Sequence, residues 1–210
     1  MNNLTTKQKI LEASIRLFNW NDVANVRLQQ IADETGISVG NLAYHFKNKE
    51  AIVNAVYENL FDEFSGILSG YLLSSKLTDF DLQMERYHRF FARYKFYLID
   101  LFEIERSYPA IMERWRECVH KMVLQIRKRL DYNVHRGILR PEPMPGVYDT
   151  LTNNIWMTVV FWIPQQVLKD QPVDELLFKK SVWEHISPHF TAKGLDEFKM
   201  EVQPLFLSFK

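Results

Sequence analysis

Cysteine occurs once in this 210-residue chain, at Cys118, which excludes an intramolecular disulfide and fits a reducing compartment. Glycine (7) and proline (8) are too sparse for a fold built on many tight turns, and long stretches carry helical rather than alternating spacing. The longest nearly unbroken apolar run, Trp156 to Pro164, falls far short of the roughly 20 residues a membrane helix needs. The opening MNNLTTKQK is polar and lacks the apolar stretch of a signal peptide, so none is expected. Net charge is missing too: 26 Lys and Arg balance 26 Asp and Glu, which argues against attachment to nucleic acid by bulk charge. Catalytic signatures are lacking as well. There is no phosphate-cradling glycine loop and no G-x-S-x-G elbow, and no local signature marks Cys118 as a nucleophile. His185 and His189 have i, i+4 spacing beside Glu184, but Pro188 lies between them and should end the helix, so the rings need not share a face. These absences point away from a membrane-spanning protein, a disulfide scaffold or an enzyme, and no metal or cofactor is expected.

What is present concentrates in residues 31–50, IADETGISVGNLAYHFKNKE. Leu28, Ile31, Ala32 and Thr35 fall at i, i+3, i+4 and i+7, the stripe of a helix that buries one face. Gly36 follows, where a helix commonly ends in a left-handed residue. Ser38 is placed to cap a new helix, with Ile37 and Leu42 as its hydrophobic staple. Two short helices joined so tightly present the second one outward, the geometry of a helix laid in a DNA major groove. Residues 1–50 hold six basic side chains (7, 9, 16, 27, 47, 49) and five acidic ones (12, 22, 33, 34, 50). Lys47 and Lys49 flank the reading helix whereas Asp33 and Glu34 precede it, so the footprint is small and non-specific affinity modest.

The rest reads as helix. A first helix is predicted from about Thr6 to Phe18, followed by a polar turn over Asn19 to Asn25. Asn48 caps a fourth helix through Ile52, Val53, Val56, Leu60 and Phe64, with Glu50 in its first turn against the dipole. From residue 77 aromatics become dense. A stripe at helical period runs over 110–136 until Gly137, and Pro141 to Pro145 form a linker. Helices follow at about 146–169 and 173–187, and a short one from near Leu195 to Pro204. The fold class is all-α: a three-helix helix-turn-helix head over 1–48 and a larger helical body over 49–210.

The span Ile31 to Ile52 resembles the signature of TetR-type transcriptional repressors, A-x-x-x-G-x-S…G-x-L-Y-x-H-F-x-x-K-E. It stands here as Ala32, Gly36, Ser38, Gly40, Leu42, Tyr44, His45, Phe46, Lys49 and Glu50. The opening KILEASIRLF is similar to the family's first helix, and the likeness covers roughly residues 6–56. The resemblance implies a DNA interface made of Arg27, Ser38, Val39, Gly40, Asn41, Tyr44, His45, Lys47 and Lys49. Asn41 and Val39 would meet base edges, while Tyr44, His45, Lys47 and Lys49 would hold phosphates. Three positions depart from the pattern. Asp22 replaces a usual glycine, so its turn should take a different backbone conformation. Val26 and Arg27 stand where Thr or Ser often caps the second helix, leaving Asn25 as a substitute cap. Ala43 replaces a common Tyr that often touches DNA.

The resemblance also implies a body that binds a small effector, apolar or aromatic given the surrounding rings. Candidate ligand residues are His88, Phe91, Phe102, Arg106, Trp115, Asn154, Trp156 and Phe161, with Asp100, Glu103, His120 and Asn153 as further polar anchors. Each aromatic is either pocket wall or ordinary core. The family forms homodimers through its late helix pair, which implicates Val147, Leu151, Ile155, Val159, Trp162, Ile163, Leu176, Phe178, Val182 and Trp183 unless they are intrachain core. The implied protein is a cytoplasmic homodimeric repressor of a palindromic double-stranded DNA operator. The reading from another class is a helical small-molecule carrier whose head is a protein-interaction module.

Overall fold

A computed structural model describes residues 4–70 and 76–207, and every regular element among them is helical. The elements are α1 (Thr6–Asn25), α2 (Leu28–Thr35), α3 (Val39–His45), α4 (Lys49–Ser69), α5 (Leu77–Arg93), α6 (Phe96–Ile99) and α7 (Leu101–Ser107). There follow α8 (Pro109–His135), α9 (Val147–Leu168), α10 (Glu175–Ile186), a 3-10 turn at Ser187–His189, α11 (Ala192–Glu197), a π-helical turn at Phe198–Val202 and α12 (Gln203–Leu207). Among the described residues no helix is long and apolar enough to cross a membrane.

Most boundaries lie where local chemistry puts them. Gly36 takes φ 73 and returns its N–H to Asp33, closing α2. The Ser38 hydroxyl accepts the Asn41 N–H at 3.1 Å, and the Asn48 carboxamide oxygen accepts the Ala51 N–H at 2.9 Å. Gly137 (φ 70) follows the end of α8. Two predicted boundaries are corrected. The first helix runs to Asn25, seven residues past Phe18, with a single break at Asp22. The last helical segment starts at Ala192, capped by the Thr191 hydroxyl, and continues through a π turn past Pro204.

The chain divides into two compact units. The first comprises residues up to Phe64 with Arg93–Arg116, the second Ser65–Ala92 with the chain from Glu117 onward. In the first, Ile10, Ala13, Ile31, Ala32 and Leu42 are fully buried, as are Ile52, Val53 and Val56 of α4. Rings complete that core: Phe18 meets Phe96 edge-on at 5.6 Å, and Tyr97 lies 4.2 Å from Trp115.

The second unit is organised around a buried ion pair. Lys179 Nζ lies 2.6 Å from Asp81 Oδ2, and the Trp183 indole donates to the other Asp81 oxygen at 3.0 Å. An ion pair this deep adds little net stability over apolar packing, but losing either partner would leave an uncompensated buried charge. Here the pair ties α5 to α10. The predicted interface residues on the late helix pair turn inward: Leu151, Ile155, Val159, Trp162, Ile163, Phe178, Val182 and Trp183 are all buried within the single chain. Their period marks intrachain core, and only Val147 and Leu176 keep partial exposure.

Gly194 fixes how α11 meets the end of α8. A Cβ there would stand 2.1 Å from the Ile138 carbonyl oxygen, a backbone atom with no rotamer to retreat into. Gly194→Ala should therefore lower the melting temperature by about 5–10 °C, measured by circular dichroism at 222 nm.

Candidate nucleic-acid interface

Helix α3, the candidate reader, has seven residues, and its burial is sharply divided. Leu42 is fully buried and Phe46, just past the helix, is buried too, while Gly40, Asn41, Ala43 and Tyr44 are exposed. Tyr44 is 86 % exposed, the extreme for a large ring on this face, and it meets His45 edge-on at 5.3 Å. Asn41 spends its backbone N–H on the Ser38 cap and leaves its carboxamide to solvent. A carboxamide so placed can make the paired donor and acceptor contacts that distinguish adenine in the major groove. Val39 and His45 are half-buried at the two ends, and Arg27, Ser38 and Lys47 are exposed. The acidic side chains of α2 are occupied: Glu34 pairs with Arg16 at 3.0 Å, and Asp33 accepts from Gln29 at 2.7 Å.

Lys49 is placed differently from Lys47. Its ammonium donates to the Ala24 carbonyl at 2.8 Å, and burial lowers its pKa against the pull of Asp22 and Asp100. It thus holds the connection between α1 and α2. The N-terminus of α1 carries a capping box missed in the sequence although Thr5-x-x-Gln8 spells it: Thr5 N–H donates to Gln8 Oε1 at 2.8 Å, and Gln8 N–H to the Thr5 hydroxyl at 3.2 Å. Lys7 from the same turn lies over the Phe46 ring, 5.4 Å from its centroid.

The connection itself departs from expectation twice. Asp22 adopts φ 58 and ψ 167, the region that glycine enters freely and that costs another residue about 1–3 kcal/mol. The glycine-like turn is therefore kept, with an aspartate held in it. Asn25 does not cap α2: its N–H and side-chain amide both return to the Asp22 carboxylate at 3.0 Å. Instead the Arg27 N–H donates to Gln30 Oε1 at 2.7 Å. More distant residues grip the same turn. Val23 N–H donates to Asp100 Oδ2 at 2.8 Å, Asn19 Nδ2 donates to the Arg93 carbonyl at 2.8 Å, and Phe96 N–H donates to Asn19 Oδ1 at 2.9 Å. Burial raises the pKa of Asp100, opposed by the Val23 N–H.

The candidate effector residues do not gather in one place. Trp115 packs against Phe61, Phe64 and Tyr97 in the first unit. In the same unit Phe102 and Arg106 lie exposed on α7, where Glu103 is half-buried. Tyr57, not singled out from the sequence, is 1 % exposed there, and its hydroxyl has no hydrogen-bond partner among the described residues. Burial pushes its pKa well up. In the second unit Phe91 is buried beside Tyr87 and Phe90. His88 is buried between Trp162 and Phe178, with Nδ1 4.0 Å from Glu175 and Nε2 unpartnered among the described residues. His120 and Asn153 are exposed.

Trp156 is half-buried on α9 and stacks edge-on with Phe161. Asn154 and Phe161 line two open grooves along α9 and α10. One, of roughly 490 Å³, is bounded by Met157, Phe161, Gln165 and Ser181; the other, of roughly 410 Å³, by Val147, Asn154, Pro188 and His189. Glu184 and His185 border both, so the two histidines do face one groove despite Pro188, although no metal-holding group of three exists among the described residues. His185 Nε2 is 2.8 Å from the Thr158 hydroxyl.

Comparison with known proteins matches both parts of the chain. Residues 10–56 fit the family described as bacterial regulatory proteins, tetR family, and residues 57–198 fit one described as bacterial transcriptional repressor. Curated relatives match over short stretches only, and the chain spans less than a third of the length of those it matches. An uncharacterized HTH-type transcriptional regulator of Bacillus subtilis, YerO, is 44 % identical over 52 residues, 25 % of this chain and 18 % of its own length. The HTH-type transcriptional regulator AcrR of Shigella flexneri is 34 % identical over 53 residues, 25 % of each chain. Among solved structures, a TetR-family transcriptional regulator of Marinobacter aquaeolei has a TM-score of 0.81 at 22 % identity, covering 99 % of this chain and 100 % of that one. SmeT, the repressor of a Stenotrophomonas maltophilia multidrug efflux pump, has a TM-score of 0.63 at 16 % identity, covering 90 % and 92 %. At these identities the structural likeness establishes the fold.

His88 gives a pH test of the second unit. Burial lowers its pKa from 6.5, with Asp174 opposing and Arg89 adding to the shift. The unfolded chain takes up that proton near pH 6.5 and the folded one resists it, so the stability is present above about pH 6.5 and is lost as pH falls below it. His189 shifts the same way through burial and Arg140. Urea unfolding at pH 7.5 and 5.5 should show the wild type losing stability at the lower pH and His88→Leu losing measurably less.

Proposed function

The chain belongs to the TetR family of bacterial transcriptional regulators, and from that premise we propose that it is a homodimeric repressor whose operator affinity is set by a small effector. As a regulator of this family it binds DNA and is not an enzyme. The proposed head spans residues 1–48 and the effector-binding and dimerisation body 49–210, working on chromosomal DNA in the cytoplasm. The observation that carries the reading is the division of α3: Leu42 and Phe46 anchor it while Asn41, Tyr44 and the groove-approaching Gly40 face outward. Arg27, Ser38, Val39, His45 and Lys47 extend that face, and Lys49 supports it from beneath.

A single α3 reads too few base pairs for an operator, and a two-fold dimer places two readers in successive major grooves about 34–36 Å apart. The outward stripe of α9 supports dimerisation. Asn154, Met157, Phe161, Gln165 and Leu168 follow one helical face left open by the intrachain core, and Leu177 of α10 adds to it. A second copy of this surface is the self-complementary partner that two-fold symmetry provides. The effector would enter the aromatic body and favour a conformation with altered head spacing. A coupling of about 1–3 kcal/mol would change operator affinity roughly 5- to 150-fold.

Electrophoretic mobility shift with duplexes selected from a random pool, at stated salt, tests the regulator reading. A selected palindromic duplex should bind far better than bulk DNA, and failure to select any would favour the small-molecule carrier instead. Asn41→Ala should weaken binding to the selected duplex by about 1–3 kcal/mol and relax preference at one base pair of each half-site. Sedimentation should give twice the 25.0 kDa chain mass. Met157→Asp with Phe161→Asp should give the single-chain mass, and a monomeric wild type would refute the interface.

A further inference from the structure

We propose that Asp100 is a positioning residue for the DNA-reading head: its carboxylate clamps the Val23 amide and so keeps the α1–α2 connection in the one conformation that sets α2 and α3. The proposal rests on the DNA-binding reading and adds to it a residue outside the helix-turn-helix.

Asp22 stands with φ 58 and ψ 167 in a region that a side-chain-bearing residue leaves unless it is held. Its own carboxylate ties forward to Asn25, three residues on, which stiffens the turn without anchoring it to anything else. The anchor is the next peptide. Val23 is 2 % exposed, so its N–H has no access to solvent, and the acceptor it finds is Asp100 Oδ2 at 2.8 Å. Asp100 is itself 8 % exposed, lying between α6 and α7. A buried carboxylate is costly unless fixed donors face it. Lys49 adds favourable charge nearby while donating to Ala24, the residue after Val23. Asn19 completes the grip at the other end of the turn by bonding Arg93 and Phe96.

Removing the Asp100 carboxylate leaves the Val23 N–H buried and unpaired, and Asp22 free to relax toward negative φ. Val26 is 1 % exposed and α2 begins at Leu28, so such a relaxation moves the start of α2. Through Gly36 and Ser38 it moves α3 as well. Glycine at position 22 would hold the same φ without a clamp, because it has no Cβ to strain. That difference separates positioning from general support of the fold.

The test uses the full-length chain with Asp100→Ala, Asp100→Asn, Asp22→Gly and the double variant Asp22→Gly/Asp100→Ala. Two readouts apply: hydrogen exchange over residues 19–26, and fluorescence anisotropy at fixed salt with the duplex that the wild type selects from a random pool. Asp100→Ala should speed exchange at Val23 and weaken duplex binding by about tenfold. Asp100→Asn, which keeps an oxygen acceptor, should bind within about threefold of wild type. The double variant should recover most of the affinity lost by Asp100→Ala, since glycine restores the turn. Asp100→Ala binding as tightly as wild type overturns the positioning role, and so does faster exchange with no change in affinity. Loss of affinity that neither glycine nor asparagine recovers reduces Asp100 to a stability residue and overturns it equally. A wild type that selects no duplex overturns the regulator reading, and the positioning role falls with it; a wild type that selects one while Asp100→Ala matches it removes the positioning role alone.

Discussion

A helix of seven residues does not hold its own shape in water, and α3 is such a helix. The cost of starting a helix is spread over so few hydrogen bonds that its order must come from outside. Leu42 and Phe46 supply it by burial, Ser38 by capping the first turn, and Gly36 by ending α2 three residues before α3 begins. What remains facing solvent is then available for recognition because it plays no part in holding the helix. That separation means that substitutions at Asn41 and Tyr44 should leave the head folded. It also explains why the head leans on elements beyond its own sequence: α2 is only eight residues long, and the kinked end of α1 before it needs Asp100 and Asn19.

The neutral overall charge acquires a meaning from this arrangement. Proteins that hold DNA by bulk charge lose affinity steeply as salt rises, in proportion to the phosphates they neutralise. Here the acidic side chains of α2 are paired with Arg16 and Gln29, and the Lys49 ammonium is spent on the Ala24 carbonyl. Among the described residues the exposed cations near α3 reduce to Arg27 and Lys47, with Lys7 and Lys9 at the start of α1. So short a list gives weak attachment to random sequence, and in the proposed dimer discrimination would fall to base-edge contacts and to the doubling of the reader.

The fold was legible in the sequence wherever a signal and its cause lie within one turn of each other. Gly36, Ser38, Asn48 and Gly137 each mark a boundary that their own φ angle or side-chain hydrogen bond enforces. The misread end of α1 has the opposite character. A polar run from Asn19 to Asn25 looks like a loop, yet its hydrogen bonds go to residues 93, 96 and 100, as many as 77 positions away. No window on the chain contains both partners. Asp22 shows the same limit. A missing glycine suggested a different turn, whereas a distant carboxylate keeps the glycine-like one. The exposure of Asn41 and Tyr44 was legible because their neighbours Leu42 and Phe46 fixed which way α3 faces. The bond from Lys49 to the Ala24 carbonyl was not, because a lysine beside α3 carries no mark of the carbonyl it has found.

The same reasoning accounts for the late helices. Periodicity identifies an apolar face but not what covers it, and α9 has two such faces. Leu151, Ile155, Val159, Trp162 and Ile163 go to the intrachain core against α10. Met157, Phe161 and Leu168 lie on the other side, left half-open or exposed in the single chain. A helix that is apolar nearly all round is normally covered all round, so the second face of α9 calls for a surface that this chain alone does not provide. The nearest candidate in concentration and shape is the same face of another copy. In the proposed dimer Asn154, Gln165, Glu184 and His185 around its edge would select the register, since a self-pairing surface with polar groups at fixed positions admits one register and rejects slipped ones. Register would matter in the proposed dimer because its two heads would fit successive grooves at one separation only: a slip of a single helical turn, about 5.4 Å, would leave one reader out of its groove.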